Sequence, residues 1–92
     1  MSETILVIDE GTTSTRAMLL TLDGRCLATE QTELTQHYPR PGWVEHDADE
    51  IWRKTLSVAG AMVAQAGGPS RVAAIGITNQ RETIVFWDRE TG

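Results

Sequence analysis

Cysteine occurs once in these 92 residues, at Cys26, and a lone thiol excludes an internal disulfide. No second Cys and no His stands at metal-ligand spacing from it, so it reads as a small residue, buried or on an edge strand. Basic residues are also scarce. Eight Lys and Arg against 13 Asp and Glu leave a net charge of −5, and no basic stripe is present. This excludes a general nucleic-acid binder, whose affinity rests on clustered cations neutralising phosphates. Long apolar runs are missing: Ile5–Ile8 and Ala17–Leu20 fall far short of the ~20 residues that cross a bilayer. Nothing has the charged, apolar, small-residue order of a signal peptide. The expectation is a soluble, cytoplasmic protein without a membrane partner. A Walker loop ending in Gly-Lys-Ser/Thr is absent too, so any phosphate chemistry needs another device. With 40% hydrophobic residues, a chain of this length buries one modest core and makes one domain.

What is present follows a clear order. Glu3–Asp9 carries Ile5, Leu6, Val7 and Ile8 in succession, which predicts a central strand buried on both faces. After Gly11–Ser14, the apolar stretch Thr15–Leu22 leads to Asp23-Gly24, a tight-hairpin dipeptide, and Arg25–Leu34 then runs back antiparallel. The polar Glu30–Glu33 places that third strand near an edge. Pro39 and Pro41 make Gln36–Gly42 a loop. Asp47 caps a helix, with Glu50 reaching back in an Asp-x-x-Glu capping box. Trp52, Leu56, Ala59, Met62, Val63 and Ala66 supply its apolar stripe, and Gly60 within it suggests close packing on the sheet. Gly67-Gly68-Pro69 ends the helix. Arg71–Thr78 predicts a parallel strand beside the first, since a crossover helix precedes it. Thr83–Trp87 predicts a last strand, with Asp88–Gly92 as the turn of a hairpin whose second arm is missing. The whole is α/β: a mixed sheet with antiparallel hairpin strands and one crossover helix, read as a fragment with open edges able to self-associate by strand pairing.

The chemistry-bearing segment is Asp9-Glu10-Gly11-Thr12-Thr13-Ser14-Thr15-Arg16, at the end of the first strand. Gly11 predicts a turn through positive φ, so that amides and hydroxyls of Thr12, Thr13 and Ser14 form an anion-binding nest. Asp9 suits Mg²⁺ held through water, and Arg16 suits the charge of a transferring phosphoryl group. Alternation along the strand turns Glu10 to the face opposite Asp9.

The segment DEGTTSTR resembles the first phosphate motif of the FGGY carbohydrate kinases, which belong to the actin-like, ribonuclease-H-like ATPase superfamily. YPRPGWVEHDADEIW resembles that family's loop and helix start. IGITNQRETIVFWDRETG resembles the segment with which its glycerol-phosphorylating members hold their substrate. The resemblance covers essentially the whole chain and implies a partial ribonuclease-H-like (actin-like ATPase) fold, with residues 1–92 as the amino-terminal part of the first kinase domain and the second domain absent. It implies ATP and Mg²⁺ as cofactors and glycerol as substrate, phosphorylated to glycerol 3-phosphate by a homo-oligomeric parent. Gly11, Thr12, Thr13, Ser14 and Arg16 are then the ATP phosphate contacts, Asp9 the metal residue, and Arg81 and Glu82 the glycerol contacts. A carboxylate past residue 92 is the general base, so the isolated chain is expected to be inactive. The alternatives are a kinase for another polyol or ketose, or a noncatalytic actin-like nucleotide-binding or assembly module.

Two positions depart from the family pattern: Glu10 stands where Gln is usual, and Ala48 where Pro commonly opens the helix. His37 and His46, nine positions apart, do not read as a metal pair. Trp43 and Trp52 are expected to pack the proline loop against the helix, and Trp87 to close the last strand.

Overall fold

The computed structural model describes residues 3–92. Strands β1 (Thr4–Glu10), β2 (Ser14–Thr21) and β3 (Cys26–Glu33) precede helix α1 (Ala48–Ala66), a single 3-10 turn at Pro69–Arg71, and strand β4 (Val72–Thr78). They form one mixed sheet in the order β3-β2-β1-β4. Consecutive strands joined by short turns pair antiparallel, and β4, reached through α1, pairs parallel with β1. At the β2–β3 turn, Gly24 takes φ 90° while the Thr21 and Arg25 backbones close the hairpin. The polar third strand is an edge, as its charge predicts, and carries Cys26 exposed.

The core lies between α1 and one face of the sheet. Leu6, Ala17 and Leu19 meet Val58, Met62 and Ala66, each almost fully removed from water. Leu6 and Leu19 are register partners, so one face alternates apolar inward along both strands. The other face bears Ile5 and Val7, only half-buried, because no second layer lies over it among the described residues. The expectation of burial on both faces therefore does not hold. Ile75 and Ile77, partners of Leu6 and Ile8, remain exposed at the β4 edge.

The helix is rotated from its predicted stripe. Val58, Met62 and Ala66 are buried, with Ile51 and Thr55 half-buried on the same seam, whereas Trp52 and Leu56 are exposed. The face turned to the sheet is lined by Val58, Met62 and Ala66, which pack on Leu6, Ala17 and Leu19, while Trp52 and Leu56 point away from it. Gly60 has open space where a Cβ would stand, so close packing does not explain it. Asp47 caps as expected, accepting from the Asp49 amide at 2.9 Å. Glu50 does not complete the box. Its carboxylate accepts from the Thr35 amide at 2.8 Å and the Thr35 hydroxyl at 2.7 Å, because the end of β3 brings those donors alongside.

Residues Thr83–Trp87 form no strand and are exposed, since no neighbouring strand offers ladder partners. Trp87 accordingly closes nothing. Trp43 and Trp52 do not clamp the proline loop to the helix either. The loop is tied instead by backbone bonds between His37 and Glu45, and the Arg40 guanidinium lies 5.0 Å from the Trp43 ring centre.

Candidate functional site

The β1–β2 turn sits at the carboxyl end of β1, beside the carboxyl end of the parallel strand β4. Open α/β sheets bind ligands at such ends. The Gly11 amide donates to the Ser14 carbonyl at 3.0 Å, closing the turn. Gly11 does not adopt positive φ, so the anticipated nest through a left-handed glycine is not formed. Glycine is required there for space: a Cβ would stand 2.9 Å from the Ser14 carbonyl oxygen. Thr12 and Thr13 are exposed at the tip, pointing their chemistry to solvent rather than to the core. Ser14 is half-buried, and its hydroxyl accepts from Gln31 Nε2 at 2.8 Å, leaving its own hydrogen available.

Asp9 and Arg16 flank the turn as an ion pair, Nη2 to Oδ2 at 2.7 Å. The Thr78 hydroxyl donates to Asp9 Oδ1 at 2.8 Å, and this bond, ahead of the Arg16 bond and charge, holds the Asp9 carboxyl below the usual carboxylate range. Glu10 turns away, as alternation requires. Its Oε1 accepts from the hydroxyls of Thr15 and Thr55, each at 2.7 Å, toward α1, while Oε2 is buried without a partner.

A cleft of about 490 Å³ opens between the turn and the chain after β4, lined by Asp9, Glu10, Gly11, Thr12, Asn79, Gln80, Arg81 and Glu82. Expected phosphate, metal and polyol residues thus face one space, although 69 residues separate Gly11 from Gln80, whose Nε2 donates to the Gly11 carbonyl at 2.9 Å. Thr13 and Ser14 stand at the tip outside this lining, and Arg16 reaches the site through Asp9. Arg81 and Glu82 are exposed and make no hydrogen bond or ion pair among the described residues. Glu82 holds φ 63°, a left-handed backbone uncommon for a non-glycine residue. A second cleft of about 640 Å³ adjoins through Thr12 and Glu82, with Val44, Ile51, Ile84, Val85 and Phe86 among its apolar walls.

The FGGY family of carbohydrate kinases, N-terminal domain, matches residues 4–92. The chain belongs to that family. Among curated FGGY relatives, the glycerol kinase of Gluconobacter oxydans (strain 621H) is 58% identical over 88 residues, covering 96% of this chain and 17% of the relative. The glycerol kinase of Bacillus subtilis (strain 168) is 50% identical over 93 residues, covering 100% of this chain and 19% of the relative. The chain therefore spans under a fifth of the length of these FGGY proteins. The fold agrees. Plasmodium falciparum glycerol kinase with ADP superposes at a TM-score of 0.84 with 34% identity, covering 98% of this chain and 18% of that one. Xylulose kinase from Rhodospirillum rubrum superposes at 0.83 with 28% identity, covering 95% of this chain and 18% of that one. The partial actin-like α/β architecture expected from the sequence is the one this FGGY chain has.

Sequence reasoning missed Gln36, His46 and Gln80. Gln36 Nε2 donates to the carbonyls of Thr12 at 2.9 Å and Leu34 at 3.1 Å. His46 lies between Gln36 and Gln80, its Nε2 3.0 Å from Gln36 Oε1 and its Nδ1 3.2 Å from Gln80 Oε1. No spacing signal marks such a chain of contacts, because its members come from three separate segments.

Proposed function

We propose that residues 1–92 are the amino-terminal part of a cytoplasmic glycerol kinase, which transfers the γ-phosphoryl group of ATP to a terminal hydroxyl of glycerol and yields glycerol 3-phosphate. What carries this reading is the shared cleft: Asp9 and Thr12 on one wall, Arg81 and Glu82 on the other. Phosphoryl transfer depends mainly on holding donor and acceptor together and neutralising charge, so phosphate-seeking and hydroxyl-seeking groups must meet across one space.

Hydroxyls and amides of Thr12, Thr13 and Ser14 bind the ATP phosphates, with Gly11 allowing close approach, and Arg16 meets phosphoryl charge. The donor set fits Mg²⁺. Each Asp9 oxygen already accepts one hydrogen bond, from Thr78 or Arg16, yet a carboxylate offers about four lone-pair sites, so two remain available. One carboxylate with water and phosphate oxygens is a usual Mg²⁺ environment, and the ion when bound neutralises charge on the phosphates. Arg81 donates to the polyol oxygens and Glu82 accepts from its hydroxyls, which fixes a small triol in place. The general base and the adenosine site belong to sequence outside these residues, so the 92-residue chain alone does not turn over.

The test is the full-length protein, purified and assayed for ATP-dependent phosphorylation of glycerol, xylulose and gluconate. The expected result is a higher kcat/KM for glycerol than for either competitor. Absence of phosphorylation of glycerol overturns the reading, and preference for xylulose moves the protein to a ketose-directed branch.

A further inference from the structure

We propose that His46 is a positioning residue that ties the phosphate turn to the polyol-binding segment, each of its ring nitrogens set against a glutamine side-chain oxygen. The inference rests on the kinase reading above for its catalytic meaning, but its geometry is independent of it.

The orientation of the two glutamines decides the chemistry. Gln36 Nε2 faces two backbone carbonyls, those of Thr12 and Leu34, so its amide cannot be reversed without setting oxygen against oxygen. Gln80 Nε2 faces the Gly11 carbonyl, while its Oε1 also accepts from the Thr83 hydroxyl at 3.1 Å. Both amide oxygens are therefore directed at the imidazole, one to each nitrogen. A continuous path of polar contacts therefore runs from the Gly11 carbonyl through Gln80, His46 and Gln36 to the Thr12 carbonyl. It encloses the tip of the β1–β2 turn and reaches the segment that carries Arg81 and Glu82 two positions or fewer beyond Gln80.

The consequence is a mechanical link between two substrate subsites that the backbone does not join. Gly11 and Thr12 are held by side chains from outside the sheet, and the same ring fixes Gln80 and, through it, Thr83 on either side of the polyol pair. The titratable groups near the ring are Glu45 and Asp47, adjacent in the chain, and Glu82 on the wall of the adjoining cleft.

The experiment compares the full-length protein with His46→Gln and His46→Leu. Hydrogen exchange read by mass spectrometry is expected to accelerate at two places together in both variants, around residues 11–13 and around residues 80–83, with the α1 interior unchanged. KM values for ATP and glycerol are expected to rise in parallel by about fivefold, the effect of losing one hydrogen bond of ordinary strength, with a smaller fall in kcat per folded molecule. Exchange confined to one segment, or a KM change for one substrate alone, overturns the link. A protein with coupled exchange that phosphorylates no polyol retains the link and refutes the kinase reading instead.

Discussion

Asp9 and Arg16 are register partners on neighbouring strands, and Arg16 grips one oxygen of the Asp9 carboxylate while Thr78, the Asp9 partner on the opposite strand, donates to the other. The pair is 37% and 42% exposed, and exposed ion pairs contribute at most about 1 kcal/mol to stability. What the arrangement secures is orientation: a carboxylate lining the cleft, held at one oxygen by Arg16 and at the other by Thr78.

The first prediction concerns that carboxylate. Its titration is depressed, so its interactions are present above the ordinary Asp value near about 3.9 and are lost as pH falls through the lower folded value. Thr78→Val removes the leading cause and is expected to move the Asp9 midpoint upward, toward that ordinary value. Carbon-detected NMR titration of the carboxyl reads it, and the acid limb of activity in the full-length protein moves up in the same direction. A midpoint that stays put refutes the assignment of cause.

Gly11→Ala tests the turn. The added methyl meets the Ser14 carbonyl at 2.9 Å, and backbone cannot swing aside as a flexible side chain can. Strain of this kind costs about 1–3 kcal/mol. Urea denaturation should show a loss in that range, accompanied by a raised KM for ATP.

Glu82 can be separated from its backbone. Asn tolerates the left-handed region that Glu82 occupies, so Glu82→Asn keeps the chain path and removes the charge. The expected outcome is an unchanged melting temperature and KM for ATP, with the KM for glycerol raised at least about tenfold, the size of one charged hydrogen bond. Arg81→Ala should behave alike. Equal effects on both substrates would remove these residues from the polyol subsite.

Met62 tests the support beneath the site. It is 2% exposed, between α1 and the sheet, and Met62→Ala leaves a cavity costing roughly 2–5 kcal/mol. Since it touches no part of the cleft, kcat/KM per folded molecule should survive while the thermal midpoint drops.

Much of this architecture is legible along the chain. The run Ile5–Ile8, the Asp23-Gly24 turn and the helix cap at Asp47 are local signals, and each appears where local chemistry puts it. The errors arise where a distant surface decides. Trp52 and Leu56 lie on a plausible stripe, yet the sheet packs against Val58, Met62 and Ala66 instead. Thr83–Trp87 has strand-like composition but no neighbour to complete a ladder. Glu50 follows a capping pattern and is drawn to Thr35 instead, whose free amide arrives from the end of β3.

The site divides in the same way. Residue types and order by themselves pointed to the turn after β1 and its carboxylate as a phosphate site, and the family resemblance pointed to the Arg81-Glu82 pair, because these signals are carried in short contiguous stretches. Tertiary structure alone decided that the two stretches share a cleft, that Gly11 is needed for clearance rather than for positive φ, and that His46 stands between two amide oxygens. Those facts depend on parallel pairing of β4 with β1, which brings together residues far apart in the chain; hydrogen bonds across such separations leave no periodic trace in sequence.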